Sequence, residues 1–394
     1  MKTALVHDWL LSAVGGSENC LREIYSLYPS PIYTLCWNGS AFANTELASA
    51  EVKASFIERL PWSSKKFRSY LPLFPMAIEQ FDLKSYDLIL SSSHCVAKGV
   101  LCHPEQLHIC YCYTPMRYAW DLSLDYLKEA GLEKGVKGAF AKLALHYLRG
   151  WDVHSSHRVD HFIAISHFVA RRIRRVYGRE ADVIYPPVNT EFFQPKGKKE
   201  EFYLVASRLV SYKKIDLIVE AFNTMPDRKL VVIGDGPEMG KIRKLARSNI
   251  ELLGYQSDTL LLEMMQKAKA FVFAAIEDFG IVPLEAMSAG TPVIALKKGG
   301  VAELVLESET GLFFEEQTIV SIRDAVERFE RIEGWDIAYL RNHALQFSQE
   351  RFRDEFKKYV EEKKIAFKEN LYENSHSSRR RRNAPLAAVS TRFS

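Results

Sequence analysis

Short apolar runs alternate with helical periodicities along most of this chain. Thr3 to His7, Ile32 to Cys36, Leu88 to Ser91, Leu107 to Cys112 and His161 to Ser166 have the length of buried parallel strands. Polar, glycine-bearing turns and helix-spaced apolar positions lie between them, which predicts βα units. One segment breaks the rhythm: Ser55 to Leu83 is rich in proline and aromatic residues and predicts an insertion packed on the core. Tyr185–Pro186–Pro187–Val188 and the polar stretch Gln194 to Glu200 mark a boundary, and a second α/β series starts at Phe202. It continues through Val231 to Lys241 (strand, glycine-rich turn, helix) and the strand end Ile250 to Asp258. Past Gly311–Leu312–Phe313–Phe314 the pattern turns helical, and Phe352 to Phe367 predicts a long, charged amphipathic helix.

The stretch from Phe271 to Glu303 carries the most information. An apolar strand, Phe271 to Ala275, leads into the loop Ile276–Glu277–Asp278–Phe279–Gly280. Pro283 suits the first position of a helix, where a missing N–H is no loss, so a helix is predicted over Pro283 to Ala289. Gly290 stops it, Thr291–Pro292 leads into a second strand at Val293 to Leu296, and Gly299–Gly300 opens another turn. Polar residues thus gather after the carboxyl end of a strand, where open α/β sheets hold ligands. Glu277 in the loop and Glu285 on the helix stand eight positions apart, with the backbone N–H groups of Gly280, Ile281 and Val282 at the helix mouth. Such amides favour phosphate, and carboxylates grip pairs of hydroxyls, a combination that suits a sugar nucleotide. The plainer alternative makes Glu285 a complement to the helix dipole and Glu277 a solvated loop residue.

Other strand ends add chemistry. After the first strand, Ser12 to Ser17 contains Gly15–Gly16, which permits close backbone approach to a ligand. It is not G-x-G-x-x-G, and no acidic residue follows at the spacing a dinucleotide ribose needs, so a nicotinamide site is excluded. Ser91 to Gly99 and Tyr111 to Asp121 end adjacent strands, which predicts that His94, Lys98, Arg117, Tyr118 and Trp120 line one cleft suited to a sugar. A structural role for His94 stays open. Arg208 and Lys213, in the turn after the strand at Phe202, both suit a diphosphate, one as a forked donor and one as a point charge. The G-D-G-P turn near Gly234 mimics a nucleotide fingerprint, but Pro237 there reads better as a helix start.

Composition narrows the class. A chain of 394 residues with 47% hydrophobic residues predicts two or three domains, and a net charge of +4 is too mild for a dedicated nucleic-acid binder. Six cysteines, at 20, 36, 95, 102, 110 and 112, form no C-x-x-C pair, and no signal peptide is read at the start, so buried free thiols in a reducing cytoplasm are expected. No stretch approaches the ~20 apolar residues of a membrane span. Basic residues cluster in Lys134 to Arg149 and in Phe168 to Arg179. Solvated helix faces explain them, and an anionic membrane surface is the competing explanation. Arg379 to Arg382 lie in a Ser/Asn/Ala-rich tail expected to be disordered.

The motifs SRLVSYKK, GDGPE, LLGYQSD, EDFGIVPLEAMSAGTPVIALKKGGVAELV and GLFF resemble the retaining nucleotide-sugar glycosyltransferases of GT-B fold, family 4, with its E-x7-E pattern. HDWL, GGSE, SFIERLP, YDLILSSSHCVAKGV, YTPMRYAWD and RVDHFIAISHFVARRIRRVYGREADVIYPPV look like the bacterial mannosyltransferase branch that builds O-antigen and exopolysaccharide repeats. The resemblance runs from about Thr3 to Glu361. It implies two Rossmann-like domains facing each other across a cleft, 1–190 on the acceptor side and 200–350 for the nucleotide sugar. A helix at about 352–372 would cross back to the first domain, followed by the tail 374–394.

By the same resemblance Arg208 and Lys213 hold the diphosphate leaving group, Glu285 the ribose hydroxyls, and Glu277 the donor sugar. The amides of Gly280, Ile281 and Val282 serve sugar or phosphate, and Gly15–Gly16 approach the diphosphate from the other domain. Tyr255 and Gln256 are candidates for the base. Relatives often carry His where this chain has Tyr113, so either Tyr113 or His94 takes that contact. Arg117 and Trp120 fall in the acceptor or sugar cleft. The implied activity is metal-independent, retaining transfer of mannose from GDP-mannose to a lipid-linked glycan, on the cytoplasmic membrane face and with peripheral association through the basic first domain left open. Alternatives are a UDP- or ADP-sugar donor, a sugar-nucleotide epimerase of the same fold, and a catalytically inactive scaffold.

Overall fold

Two parallel β-sheets organise the chain in the computed structural model, which describes residues 1–382 except Val14, Ala130 and Glu333. The first sheet contains β1 (Thr3–His7), β2 (Ile32–Thr34), β3 (Val52–Ala54), β4 (Leu88–Ser93), β5 (Leu107–Cys112), β6 (His161–Ala164) and β7 (Ala181–Val183). Their spatial order is β3-β2-β1-β4-β5-β6-β7. The second contains β8 (Phe202–Ala206), β9 (Lys229–Ile233), β10 (Ile250–Gly254), β11 (Ala270–Phe273), β12 (Val293–Leu296) and β13 (Gly311–Phe314), in the order β10-β9-β8-β11-β12-β13. Helices cover both faces, so β4 and β5 are buried along their whole length and are apolar or small apart from Tyr111 and His108, whose Nε2 meets Ser91 Oγ at 2.8 Å. This is the α/β architecture of two Rossmann-like halves that the sequence predicts.

The strand order reverses between β1 and β4 in one sheet and between β8 and β11 in the other. Those are the points where doubly wound sheets open a crevice beyond their carboxyl ends. The loops that leave β1, β4, β8 and β11 carry His94, Gly15–Gly16, Arg208, Lys213 and Glu277, so sheet topology alone collects most candidate residues.

Several boundaries differ from the sequence reading. The strand expected at Phe271 to Ala275 is Ala270–Phe273. The following helix is Ile281–Ser288, capped by Gly280 at φ 132°, a conformation that favours glycine. Pro283 is therefore its third residue, a position that still needs no intrahelical N–H acceptor. The helix after the G-D-G-P turn begins at Met239, two residues past Pro237. The edge strands β3 and β7 are three residues each, too short to give a periodicity.

The proline-rich segment forms the short helical turns Phe56–Arg59, Ser63–Lys66, Phe67–Leu73 and Phe74–Glu79. Phe67 and Phe74 stack against each other, and the Trp9 ring tilts onto Phe67 at 5.0 Å. The last helix, Gln349–Arg382, returns to the first sheet's domain. Phe352 and Phe356 meet the Tyr111 ring at 5.6 and 6.0 Å, and Arg353 pairs with Glu23 at 2.7 Å. This helix extends through Arg382, so the backbone of Arg379–Arg382, expected in an irregular tail, is helical; residues 383–394 lie outside the described residues. All six cysteines are free, and burial pushes the Cys36 and Cys102 thiols up to about 12.

Candidate active site

On the first domain, the loop leaving β4 is organised by one buried carboxylate. Asp8, at the end of β1, accepts hydrogen bonds from the backbone N–H groups of His94, Cys95, Val96 and Ala97 at 2.6–2.9 Å. His94 Nδ1 lies 3.1 Å from the same carboxylate, and the His94 ring sits edge-on to Trp9 at 4.5 Å. These contacts hold the imidazole at the cavity wall. The sequence offers one sign of this role for Asp8: an acidic residue directly after an apolar strand, where loop amides converge.

Tyr113 lines the same cavity, but its hydroxyl is already engaged: it lies 2.9 Å from Ser92 Oγ and donates to the Ser17 carbonyl at 3.0 Å. Ser92 Oγ in turn meets His7 Nδ1 at 3.0 Å. Burial holds the His7 imidazole near pKa 3, so it is neutral at physiological pH. Of the two candidates, His94 keeps the freer polar edge.

On the second domain, Lys213 and Glu277 form an ion pair. Burial disfavours the Lys213 ammonium, and Arg117 adds to this while Asp278 opposes it. The net effect brings the Lys213 ammonium down to about 7. Arg208 is exposed beside Tyr212 and has no ion pair among the described residues. Glu285 is pushed up to about 7, first by burial and then by Asp258. The Glu277 carbonyl accepts from Gly300 N–H at 2.7 Å, which fixes the loop. Ile281 and Val282 belong to the helix's first turn, where amides lack an intrahelical acceptor.

The two halves meet at close range. Gly16 begins the helix Gly16–Leu27, and a Cβ there would stand 2.7 Å from Ile281 Cδ1 at the start of the opposing helix. Two helix N-termini thus face one ≈ 380 Å³ cavity, lined among others by Gly16, His94, Tyr113, Arg117, Asp278 and Ile281. A second cavity of ≈ 770 Å³ continues along the cleft past Tyr212, Lys214 and Lys241. Asp278 bridges the halves: it pairs with Arg117 at 3.2 Å and Arg172 at 2.5 Å, and its carbonyl accepts from Ser166 Oγ at 2.6 Å. Glu303 caps the helix His167–Tyr177 from across the cleft, accepting from the N–H groups of His167 and Phe168 at 2.9 and 2.6 Å. Neither Asp278 nor Glu303 stood out in the sequence, because their partners lie more than a hundred positions away.

Three placements correct the sequence reading. Lys98 is fully buried and paired with Asp152, away from the cleft. Trp120 donates its indole N–H to the same Asp152 at 2.8 Å and is not among the residues lining the cavity. Arg172, read as part of a basic face, is largely buried between the domains. Tyr255 and Gln256 follow the edge strand β10, two strands from the switch point, with Tyr255 exposed and Gln256 donating to the Leu253 carbonyl at 2.6 Å.

Residues 32–192 match Glycosyltransferase Family 4 and residues 188–371 match Glycosyl transferases group 1. The chain belongs to the GT-B glycosyltransferases of family 4. Over 172 residues it is 30% identical to an uncharacterized glycosyltransferase of Methanocaldococcus jannaschii, covering 42% of this chain and 48% of that protein. Over 193 residues it is 29% identical to a GDP-mannose-dependent alpha-(1-6)-phosphatidylinositol monomannoside mannosyltransferase of Mycobacterium tuberculosis, covering 41% and 50%. The match spans about half the length of these curated relatives. The fold superposes on Anabaena HepE in complex with UDP and glucose, with TM-score 0.65 and 17% identity over 92% of this chain and all of that one. Sucrose-phosphate synthase from Thermosynechococcus elongatus gives TM-score 0.67 and 16% identity, over 93% of this chain and all of that one.

Proposed function

We propose that this GT-B protein is a retaining hexosyltransferase that moves mannose from GDP-mannose to a lipid-linked glycan in bacterial surface-polysaccharide synthesis. The observation that carries the transferase reading is the meeting of two helix N-termini, from Gly16 and Ile281, beside the Lys213–Glu277 pair. A sugar diphosphate placed there gains oriented amides and fixed positive charge where negative charge develops. Lys213 and Arg208 would take the diphosphate as the bond from the anomeric carbon to phosphate oxygen breaks, with the electron pair leaving on that oxygen. The acceptor oxygen would bond to the anomeric carbon on the same face and pass its proton to the departing phosphate. Such a step asks for charge stabilisation and needs no metal ion. Glu277, held by Lys213 before donor arrives, would exchange part of that contact for sugar hydroxyls. Glu285 would hold the ribose hydroxyls, and His94, oriented by Asp8, would meet the sugar or phosphate from the first domain.

Mannose rests on the mannosyltransferase-like motifs and on the mycobacterial relative's GDP-mannose dependence. The UDP bound by HepE keeps a UDP-sugar donor as the second reading. A melting-temperature panel with GDP-mannose, UDP-glucose, UDP-GlcNAc and ADP-glucose separates them, since a ligand of the native state raises the midpoint. A rise with GDP-mannose alone is expected. A rise with a UDP-sugar instead overturns the donor, and no response to any overturns the transferase reading.

A further inference from the structure

The helix Gly135–Ser156 packs inward through Gly138, Leu145, Leu148 and Asp152. Its opposite face is apolar as well. Val136, Phe140, Leu143 and Tyr147 are 74%, 68%, 64% and 52% exposed, and their spacing of four, three and four places them in one stripe along the helix. Four large apolar side chains in a row exceed the scattered exposure expected of a soluble surface. Lys137 and Lys142 flank the stripe on either side, and Lys134 precedes the helix. From Gly135 to Trp151 the sequence contains no carboxylate. Among the described residues none of these three lysines has a carboxylate partner; Lys142 donates only to the Glu133 carbonyl.

A water-exposed helix would carry charges at the centre of that face, and a protein-covered one would not leave three unpaired lysines around it. An apolar stripe edged by cations fits the boundary between headgroups and acyl chains of an anionic bilayer. We propose that this helix lies in the interface of an anionic membrane, with Val136, Phe140, Leu143 and Tyr147 inserted and Lys134, Lys137 and Lys142 among the phosphates.

A second observation links this face to the cleft. The inner side of the same helix, at Leu145 and Leu148, lines an apolar cavity of ≈ 510 Å³ with Leu71 and Phe74, and that cavity shares Tyr118 and Tyr126 with the ≈ 380 Å³ cavity between the domains. Docking on the stripe therefore brings an apolar passage and the cleft to the bilayer together. The proposal rests on the lipid-linked acceptor reading for its purpose only, and its test needs neither donor nor acceptor, so a failed transfer assay and a failed vesicle assay are separate results.

The test is co-sedimentation of the full chain with phosphatidylcholine vesicles, with and without phosphatidylglycerol, at low and high salt, alongside sedimentation equilibrium without lipid. Binding that requires phosphatidylglycerol and weakens with salt is expected. The double variant Phe140→Glu/Leu143→Glu should lose roughly tenfold or more of that binding, and Lys137→Glu/Lys142→Glu a similar factor, each with an unchanged melting midpoint. A wild-type chain that ignores anionic vesicles overturns the proposal, as does equal binding by both variants. A wild-type dimer that Phe140→Glu/Leu143→Glu dissociates, without vesicle binding, puts a second copy on the stripe and overturns it too.

Discussion

The two halves share a topology and use their switch points in opposite ways. In the first, the crevice loop is closed on itself: Asp8 is consumed by the backbone N–H groups of residues 94–97, and Tyr113, Ser92 and His7 hydrogen-bond in a buried chain. In the second, the crevice carries the Lys213–Glu277 pair, an exposed Arg208, and first-turn amides at Ile281 and Val282. The first half thus presents a wall shaped by its own hydrogen bonds, with His94 and Arg117 at its edge, and the second adds the Lys213–Glu277 pair and an exposed Arg208. A parallel sheet supplies a place for a ligand, whereas the loop residues decide whether it is rigid or electrostatically active.

The strongest blow to this asymmetry falls on the charged side. Glu277→Ala and Lys213→Ala are each expected to lower turnover by about 10²–10³-fold, the scale for removing a group that stabilises transition-state charge, while the melting midpoint stays close to wild type; initial rates with labelled donor, beside thermal melts, check both. Asp8→Asn strikes the half whose crevice loop is closed on itself. Placing an amide N–H among the donors of residues 94–97 should cost about 3 kcal/mol of folding stability, read by urea unfolding. An opposite ranking, with Asp8→Asn harmless to the fold and Glu277→Ala unfolding the protein, would erase the proposed division of labour.

Contacts between the halves come next. Asp278→Asn removes the charge shared by Arg117 and Arg172 and should lower kcat/KM by about tenfold, equivalent to about 1.4 kcal/mol, with a larger radius of gyration in solution scattering. The smallest effect concerns Glu285. Its folded pKa, about 7, lies above its usual carboxyl value. Its stability contribution is therefore complete below pH 4.5 and is lost as pH rises through 7. Glu285→Gln in the donor-free protein should be stabilised by on the order of 1 kcal/mol at pH 8, and the gain should vanish near pH 4. Melts across that range test it.

Much of this was readable from local pattern. The largely apolar runs at Thr3 to His7, Leu107 to Cys112 and Val293 to Leu296 coincide with β1, β5 and β12, because a strand covered by helices on both faces is apolar over most of its length. Glycines at the strand ends and the helix start near Ile281 point to a crevice beyond the strands' carboxyl ends, since turn geometry and helix-start chemistry are short-range. The short edge strands β3 and β7 leave no pattern in the sequence, and the helix begins at Ile281, two residues before the start that Pro283 suggests. Three residues give no period, and a proline fits any of the first helical positions.

What the sequence alone determined is therefore the α/β class, the succession of strand and helix, the boundary before Phe202 and the family. Those depend on periodicity and on residues close together in the chain. Only the tertiary structure decided that Lys98 and Trp120 face Asp152 rather than the cleft, that Arg172 and Arg117 converge on Asp278, and that Asp8 holds the His94 loop. A charge or a hydrogen-bonding group looks the same in sequence whether it meets water, a ligand or a partner 161 residues away, as Arg117 and Asp278 do. Burial and pairing are properties of the packed chain, and they set which polar residues are spent on the fold and which remain for chemistry.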